Sequence, residues 1–291
     1  MERPTIAPDR FRHFVAIDWS GAAGAVQPGI AVALAEPGDA APRLIGERWS
    51  REGVLAWLRD ALPPDTLVGL DLGPALPFCD AGAYFPGWDR SPADAKALWA
   101  LVDSICDGEP NLGAAAFVDH PEASRYFRRH GARTGDRFGT GAGRLRVTEQ
   151  AQRAAGLNPY SNLNLVGAAQ VGKSSLTGMR MFHRLALPFW PFDPVPLRGT
   201  VLVEIYTTIA ALAGGRSKSR SKVRDLPALD DALAALGSEP YRDGAALDDH
   251  RCDALLGAAW LRQVAHGAGL WSPPLLSPEI AATEGWTFGV A

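Results

Sequence analysis

FVAIDWSG, at residues 14–21, is an apolar run that ends in one aspartate, Asp18, followed by small residues. A carboxylate at the end of a buried strand is costly unless a cation or hydrogen-bond donors pair with it. A second stretch, LVGLDLG at residues 67–73, repeats this design and ends its apolar run at Asp71. The sequence therefore predicts two core strands that each deliver one carboxylate.

The order of predicted elements indicates an α/β fold built on a mixed sheet. Residues 14–18, 29–35 and 44–49 are predicted strands that lie close enough in sequence to form a meander. A helix that Ser50 caps and that runs to about residue 62 leads to a fourth strand at residues 67–71. A right-handed crossover would place this strand parallel to the first. Asp18 and Asp71 would then lie at neighbouring strand ends, at the edge where open α/β sheets bind ligands.

The rest of the chain is predicted to complete one domain, residues 1–291, with helices flanking the sheet. Residues 78–165 are predicted as a helical insertion rich in glycine and arginine. Its predicted helices span residues 91–105, 121–129 and 148–155. A further apolar strand is expected at residues 201–206. The predicted helices after it span residues 207–212, 227–236 and 247–266.

Composition restricts the class of protein. Of the 291 residues, 47% are hydrophobic and 21% are charged, which is typical of a globular chain. The net charge of -3 excludes a generally basic coat for nucleic acid but allows local basic patches. Cys79, Cys106 and Cys252 form no CxxC pair, which favours a reducing compartment. Residues 1–12 are polar and no run of 18 apolar residues occurs, so we expect a cytoplasmic protein without a membrane partner.

Five carboxylates are candidate catalytic residues. They are Asp18, Asp71, Glu204, Asp249 and Asp253. Asp249 and Asp253 are four residues apart and share one face of the last long helix, although a capping role would explain Asp249 alone. A cluster of carboxylates repels itself unless divalent cations screen it. Oxygen ligands without a nearby Cys and His set select Mg²⁺ or Mn²⁺, and we expect Asp18, Asp71 and Asp253 to hold the metal.

The element order and the positions of these acids resemble the ribonuclease H fold of metal-dependent nucleases and RuvC-like resolvases. The chain also resembles a bacterial family of predicted ribonuclease H-like nucleases, domain-of-unknown-function family 429. The matching stretches are VAIDWSGA (15–22), GLDLGPALP (69–77), GAAQVGKSSLTG (167–178), VLVEIYTT (201–208), DDHRCDALLGAAW (248–260) and EGWTFGV (284–290). The resemblance implies metal-dependent hydrolysis of nucleic acid, and it places Asp18, Asp71, Glu204 and Asp253 on the acidic motifs. The chain departs from the pattern at Thr207, where many relatives have proline.

GAAQVGKS, at residues 167–174, also satisfies the phosphate-loop pattern GxxxxGK[ST]. Such a loop normally follows a buried strand, and NLNLV at residues 162–166 is a poor one. It also needs a later strand that ends in aspartate, whereas Glu204 lies within its strand. The context therefore disfavours this motif as a nucleotide site, and Lys173 remains a candidate contact for a substrate phosphate.

Basic residues alternate with serine between residues 216 and 222, and no acid interrupts them. The candidate substrate-binding residues in this run are Arg216, Lys218, Arg220 and Lys222. Such a loop beside an acidic metal centre suits a nucleic-acid partner, since phosphate contacts supply most affinity that is independent of sequence. His250, beside Asp249, is a weaker candidate for proton transfer or metal binding.

Two other functions fit the same core. Actin-like and sugar kinases share it, and the turns after Asp18 and Asp71 would then surround ATP, although the chain lacks a clear adenosine-binding glycine motif. A non-catalytic nucleic-acid-binding protein is the third reading. Tight ATP binding without nuclease activity would favour the kinase-like function, and measured metal binding would argue against the non-catalytic one. The choice between DNA and RNA and the oligomeric state are left open by the sequence.

Overall fold

The structure is a computed structural model that describes residues 6–7, 9–167, 171–217 and 221–291. Its strands are β1 (His13–Asp18), β2 (Ala31–Ala35), β3 (Arg43–Leu44), β4 (Thr66–Asp71), β5 (Arg128–Arg129), β6 (Arg133–Thr134), β7 (Phe189–Trp190) and β8 (Val201–Glu204). Six of them form one sheet in the order β3-β2-β1-β4-β8-β7, and β5 and β6 form a separate hairpin.

The helices are α1 (Arg51–Asp60), α2 (Ala95–Ile105), α3 (Ala115–Asp119), α4 (Val147–Ala154), α5 (Val171–Arg184), α6 (Thr207–Ala213), α7 (Leu226–Ala235), α8 (Asp249–Val264) and α9 (Pro278–Thr283). Short polar side chains cap several of them, as the sequence predicted for α1. The hydroxyl of Ser50 accepts a hydrogen bond from the Gly53 amide at 2.9 Å, and Asp248 accepts one from the Arg251 amide at 2.8 Å at the start of α8. In the described ranges, no helix combines the length and the apolar character needed to cross a membrane.

The sheet is antiparallel on one side and parallel on the other. β1 pairs antiparallel with β2, β2 pairs antiparallel with β3, and β1 pairs parallel with β4. β4, β8 and β7 continue the sheet as parallel strands. The predicted α/β architecture, a mixed sheet of antiparallel and then parallel strands flanked by helices, is confirmed.

Each face of the sheet buries its own hydrophobic core, because successive side chains of a strand point to opposite faces. Val15 and Ile17 of β1 belong to a core that includes α1, α2 and α5. Phe14 and Ala16 of the same strand belong to a second core, which includes α6, α7 and α8. The sheet therefore lies between two helical layers, and α8 packs directly against β1 and β2.

Two glycines allow α8 to lie close to the sheet. A Cβ atom on Gly257 of α8 would stand 2.8 Å from the Cβ of Ala16, and one on Gly69 of β4 would stand 2.8 Å from the Cδ1 of Leu261 in α8. Such distances are too short for unbonded carbons, so larger residues here would push the layers apart. This close approach sets how near the residues of α8 come to the ends of β1 and β4.

A leucine at Gly257 should therefore destabilise the protein by about 1–3 kcal/mol, the usual cost of overpacking a tight core. Urea unfolding measures the change. The matched control is Gln263→Leu on the exposed part of α8, which should change the free energy of unfolding by less than about 0.5 kcal/mol. Equal stability of the two variants would show that α8 is not packed as described.

Three local predictions from the sequence differ from the structure. The predicted strand at residues 44–49 ends at Leu44, because Gly46 adopts a left-handed φ of 65°. The predicted helix at 121–129 is a single 3₁₀ turn, Ala123–Tyr126, followed by the extended residues of β5, which pair with β6. Helix α5 was not predicted, because its first residues were interpreted as part of a phosphate-loop pattern.

Candidate active site

Asp18 and Asp71 lie side by side at the carboxyl ends of the two central strands. They are register partners in the parallel pair β1–β4, so their backbones are about 4.8 Å apart. Asp18 is two residues after Ala16, and Asp71 is two residues after Gly69, so each aspartate points to the same face of the sheet as that residue. Ala16 and Gly69 lie against α8, so both aspartates belong to the α8 face. The structure therefore brings these two predicted site residues together.

Asp253 completes a cluster of three carboxylates from the first turns of α8. Its side chain is buried, and its charge acts on Asp71 together with that of Asp18. Burial, and then repulsion by Asp18 and Asp253, raises the pKa of Asp71 to about 7. Burial raises the pKa of Asp253 to about 6, and it raises the pKa of Asp18 as well. Each of these carboxylates is thus held in a state that favours a proton or a cation.

Among the described residues, two basic side chains reach this cluster. The ammonium of Lys222 donates to Oδ2 of Asp253, and the charges of all three aspartates outweigh burial and raise the pKa of Lys222. Its side chain is 55% exposed, so it approaches from solvent. Nδ1 of His250 lies 2.8 Å from Oδ2 of Asp18, and this hydrogen bond raises the pKa of the imidazole. Charge compensation at the cluster therefore comes from one lysine and one histidine.

Thr207, the first residue of α6, orients Asp71. Its hydroxyl donates to Oδ2 of Asp71 at 2.9 Å. This hydrogen bond engages one oxygen of Asp71 and so fixes the position of this carboxylate.

A cavity of about 310 Å³ opens over the strand ends. Asp18, Asp71 and Lys222 lie on one side of it, and Arg146 and Glu204 lie on another. Tyr160 and Tyr206 also line it, which provides aromatic surface beside the charged groups.

The donor chemistry of the three aspartates fits a hard divalent ion, since Mg²⁺ and Mn²⁺ prefer carboxylate oxygens. Among the described residues, however, no group of three or more His, Cys, Asp or Glu side chains is arranged so that it could hold a metal ion. Because Lys222 lies against Asp253, an ion that used this carboxylate would have to displace the ammonium.

Comparisons with known proteins add no relative. No family model, curated protein or solved structure matches this chain.

Glu204 is placed differently from the three aspartates. Glu204 is two residues after Leu202 in β8, so both side chains point to the same face of the sheet. Leu202 lies in the core on the face opposite α8, so Glu204 points away from Asp18 and Asp71. Both of its oxygens accept from Arg146, at 2.6 and 2.9 Å, and Thr287 donates to one of them at 2.9 Å. Arg146 also donates to Glu149 at 2.9 Å. Glu204 thus belongs to a buried ion-pair network that forms a wall of the cavity.

Asp249 lies at the start of α8, on the rim of the site. It pairs with Arg224 at 3.3 Å, and the arginine side chain is 70% exposed. Burial opposes ionisation of Asp249. The hydrogen bond from Arg224 and the nearby positive charges favour ionisation more strongly, so the pKa of Asp249 is lowered. The structure therefore leaves Asp249 beside the cluster as a charged group that is already partnered.

The predicted substrate-binding residues are spread over more than one place. Lys222 reaches the acidic cluster, whereas Lys173 lines another cavity, where its Nζ lies 2.8 Å from Nε2 of His130. Arg216 follows α6, and its amide donates to the Ala211 carbonyl at 3.0 Å. Lys218 and Arg220 lie outside the described residues.

Sequence reasoning missed Arg146 and Thr207 as residues of the site. Arg146 lies in the predicted insertion rich in glycine and arginine, whose composition singles out no one arginine. The signal that could have found it is Glu204 itself, because a carboxylate in an apolar strand requires a partner and an arginine is the commonest buried one. Glu149, three residues after Arg146, is a second acid within reach of the same guanidinium.

Proposed function

We propose that this protein is a Mg²⁺- or Mn²⁺-dependent nuclease of the ribonuclease H-like type, related to the predicted nucleases of family 429, that hydrolyses phosphodiester bonds in nucleic acid. The observation that carries the proposal is the register of Asp18 with Asp71, joined by Asp253 from α8. The sheet order, with its antiparallel meander followed by parallel strands, supports the same assignment.

The energetics of the cluster support a cation as its missing partner. Burial and mutual repulsion act against ionisation of all three aspartates, and their arrangement lowers the stability of the metal-free protein. Lys222 supplies one positive charge, and His250 supplies another when it is protonated. A divalent ion would supply the positive charge that three carboxylates require. Its binding would not require a long side chain to be held in one conformation, as the contact of Lys222 does.

In this proposal Asp18, Asp71 and Asp253 would hold the metal once their side chains turn towards one another, because these described carboxylates are not arranged as a metal site in the structure. The bound metal would supply activation of a water molecule and neutralisation of charge on the scissile phosphate. His250 fixes the orientation of Asp18, and Thr207 fixes that of Asp71. These two hydrogen bonds leave the opposite oxygen of each carboxylate for the ion, which is the usual role of groups behind a metal ligand.

The residues around the cluster support a polyanionic substrate. Lys222 and Arg224 are largely exposed at its edge, where both side chains would be able to contact phosphates of a substrate. Tyr160, which is 41% exposed, lines the same cavity and offers a surface on which a base would stack.

Cleavage of labelled DNA, RNA and RNA–DNA hybrids in Mn²⁺, Mg²⁺ and EDTA tests the proposal. We expect cleavage that depends on the metal and that Asp253→Asn reduces about 100-fold or more, since metal ligands contribute several kcal/mol. The matched control is Asp231→Asn at an exposed position of α7, and this variant should retain full activity. Cleavage that persists in EDTA, or that Asp253→Asn leaves unchanged, would contradict the proposal.

Replacement of Lys222 by glutamine should tighten Mn²⁺ binding, because the ammonium and the ion compete for Asp253. The ion pair is partly exposed and worth about 1 kcal/mol, so we expect a change of about two- to tenfold in Kd. Isothermal titration calorimetry with MnCl₂ measures it. The control is Lys96→Gln, which removes a lysine paired with Asp193 at another surface and should not change Mn²⁺ binding. Weaker binding by Lys222→Gln would mean that Lys222 supports the ion rather than competing with it.

A further inference from the structure

A second cavity, of about 410 Å³, lies on the other side of the start of α5. Its walls come from the loop after β1, the turn before α3, the β5–β6 hairpin and the first turns of α5. Ser174 lines the active-site cavity and its neighbour Lys173 lines this one, so the two cavities are separated by the start of one helix. The volume lies within the range of small-molecule sites, about 300–1,000 Å³.

This cavity combines positive charge with apolar surface. Of the described residues, four cationic side chains and two carboxylates line it, so positive charge is in excess. They are Arg51, Arg129, Arg133 and Lys173, with Glu109 and Asp119. Leu165, Leu176 and Val118 provide the apolar surface. The combination suits a ligand that has a dianionic group at one end and presents an apolar face, such as the face of a ring, at the other.

The cationic side chains differ in how many hydrogen bonds and ion pairs they already make within the protein. Arg51 is buried and donates to the carbonyls of Asn111, Ser20 and Ala22, so it serves the fold. Lys173 has no carboxylate partner among the described residues, and its Nζ contacts His130. Arg133 is exposed, and its nearest carboxylate is that of Asp119 at 3.8 Å.

Arg129 gives a second sign of a missing acceptor. One of its terminal nitrogens donates to Asp119 at 2.9 Å, but its Nε is buried and has no hydrogen-bond partner in the described part of the chain. A buried donor without a partner is rare in folded proteins and costs about 1–3 kcal/mol. A ligand oxygen in the cavity would remove that cost.

Part of the cavity wall is held in an uncommon backbone conformation. Asn111 and Leu112 have φ values of 57° and 50°, although neither is glycine. Arg51 and Glu52 fix this turn, since they bond the carbonyl and the amide of Asn111 at 2.8 and 3.0 Å. Backbone strain that the surroundings maintain is typical of ligand sites.

We propose that this cavity binds a nucleoside monophosphate, with its phosphate on Lys173, Arg129 and Arg133 and its base against the apolar wall. A phosphate monoester carries about -1.5 to -2 charges near pH 7, which matches the excess of positive charge. Arginine and lysine together give it both forked and single hydrogen bonds. This site is independent of the proposed nuclease activity, because none of its ligand contacts involves the three aspartates.

Isothermal titration calorimetry in EDTA with AMP, GMP, CMP and UMP tests the proposal, with inorganic phosphate and adenosine as the two halves of the ligand. We expect at least one nucleotide to bind tenfold or more tightly than either half. Lys173→Gln should weaken this binding about 10- to 100-fold, the effect of one charged hydrogen bond.

Matched variants separate the cavity from general electrostatics and from the acidic site. Arg133→Gln should weaken binding, whereas Arg153→Gln, the same change at an exposed position of α4, should not. Asp71→Asn should bind the nucleotide like the unchanged protein. The proposal is overturned if no nucleotide binds better than phosphate, or if Lys173→Gln and Arg133→Gln bind it as tightly as Arg153→Gln does.

Discussion

Asparagine in place of Asp71 is expected to reduce the proposed metal-dependent cleavage strongly and, at the same time, to stabilise the metal-free protein. Asp71 is ionised at a cost, because burial and the charges of Asp18 and Asp253 raise its pKa to about 7. Asparagine has no charge and still accepts the hydrogen bond from Thr207. The loss of a metal ligand should reduce cleavage about 100- to 1,000-fold, since such ligands contribute several kcal/mol.

The gain in stability should depend on pH. The folded protein holds the proton of Asp71 up to about pH 7, whereas the unfolded chain releases it near pH 4. Between these values the folded state binds more protons, so the free energy of unfolding falls as the pH rises. Asp71→Asn should therefore be more stable than the unchanged protein by on the order of 2–4 kcal/mol at pH 8, and by almost nothing near pH 4.

Urea unfolding in EDTA at pH 5 and pH 8 measures this difference. Addition of Mn²⁺ should stabilise the unchanged protein by mass action and should have a smaller effect on the variant. Asp231→Asn serves as the control for a general effect of removing one negative charge. If Asp71→Asn were less stable than the unchanged protein at pH 8, the carboxylates would not repel one another as described.

Methionine in place of Arg146 is expected to give the largest loss of stability. The guanidinium is fully buried between Glu204 and Glu149, and its removal leaves both carboxylates without their cation. Loss of one partner of a buried ion pair costs about 3–5 kcal/mol. Chemical denaturation measures the change, and Arg153→Gln on the exposed side of the same helix should shift the free energy of unfolding by less than about 0.5 kcal/mol.

A double variant separates charge from packing. Glu204→Gln combined with Arg146→Met removes one of the two stranded carboxylates, so it should recover part of the lost stability. If Arg146→Met alone cost less than about 1 kcal/mol, the network would not be a structural element of the cavity wall. Glu204 would then remain only the candidate catalytic residue that the sequence predicted.

The central part of the fold could be predicted because local patterns agree with the final structure there. The apolar runs that end in Asp18 and Asp71 are β1 and β4, and their side-by-side placement follows from the handed crossover through α1. Asp253 was predicted to enter the site because an acid precedes the apolar residues of α8.

The rest of the site depends on contacts between distant residues, which no local pattern encodes. Glu204 was expected beside the metal because it lies in an apolar strand, but the face to which a side chain points depends on register, and its partner lies 58 residues away in the chain. Lys173 was considered with its neighbours in the phosphate-loop pattern, whereas the cavity that it lines is built from the turn before α3 and the β5–β6 hairpin. His250 was a weak candidate until its contact with Asp18 became visible, because the two residues lie at opposite ends of the chain.

β4 and β8 are neighbours in the sheet, yet α2 to α5 and the β5–β6 hairpin lie between them in the chain. During synthesis, one edge of β4 therefore stays unpaired until β8 has left the ribosome, and the cluster of aspartates is incomplete until α8 has followed. For most of translation, the nascent chain therefore contains β1 and β4 without α8, which completes the cluster of aspartates. A fragment that ends before α8 would therefore lack Asp253 and would leave the apolar face of the sheet that α8 covers exposed to solvent.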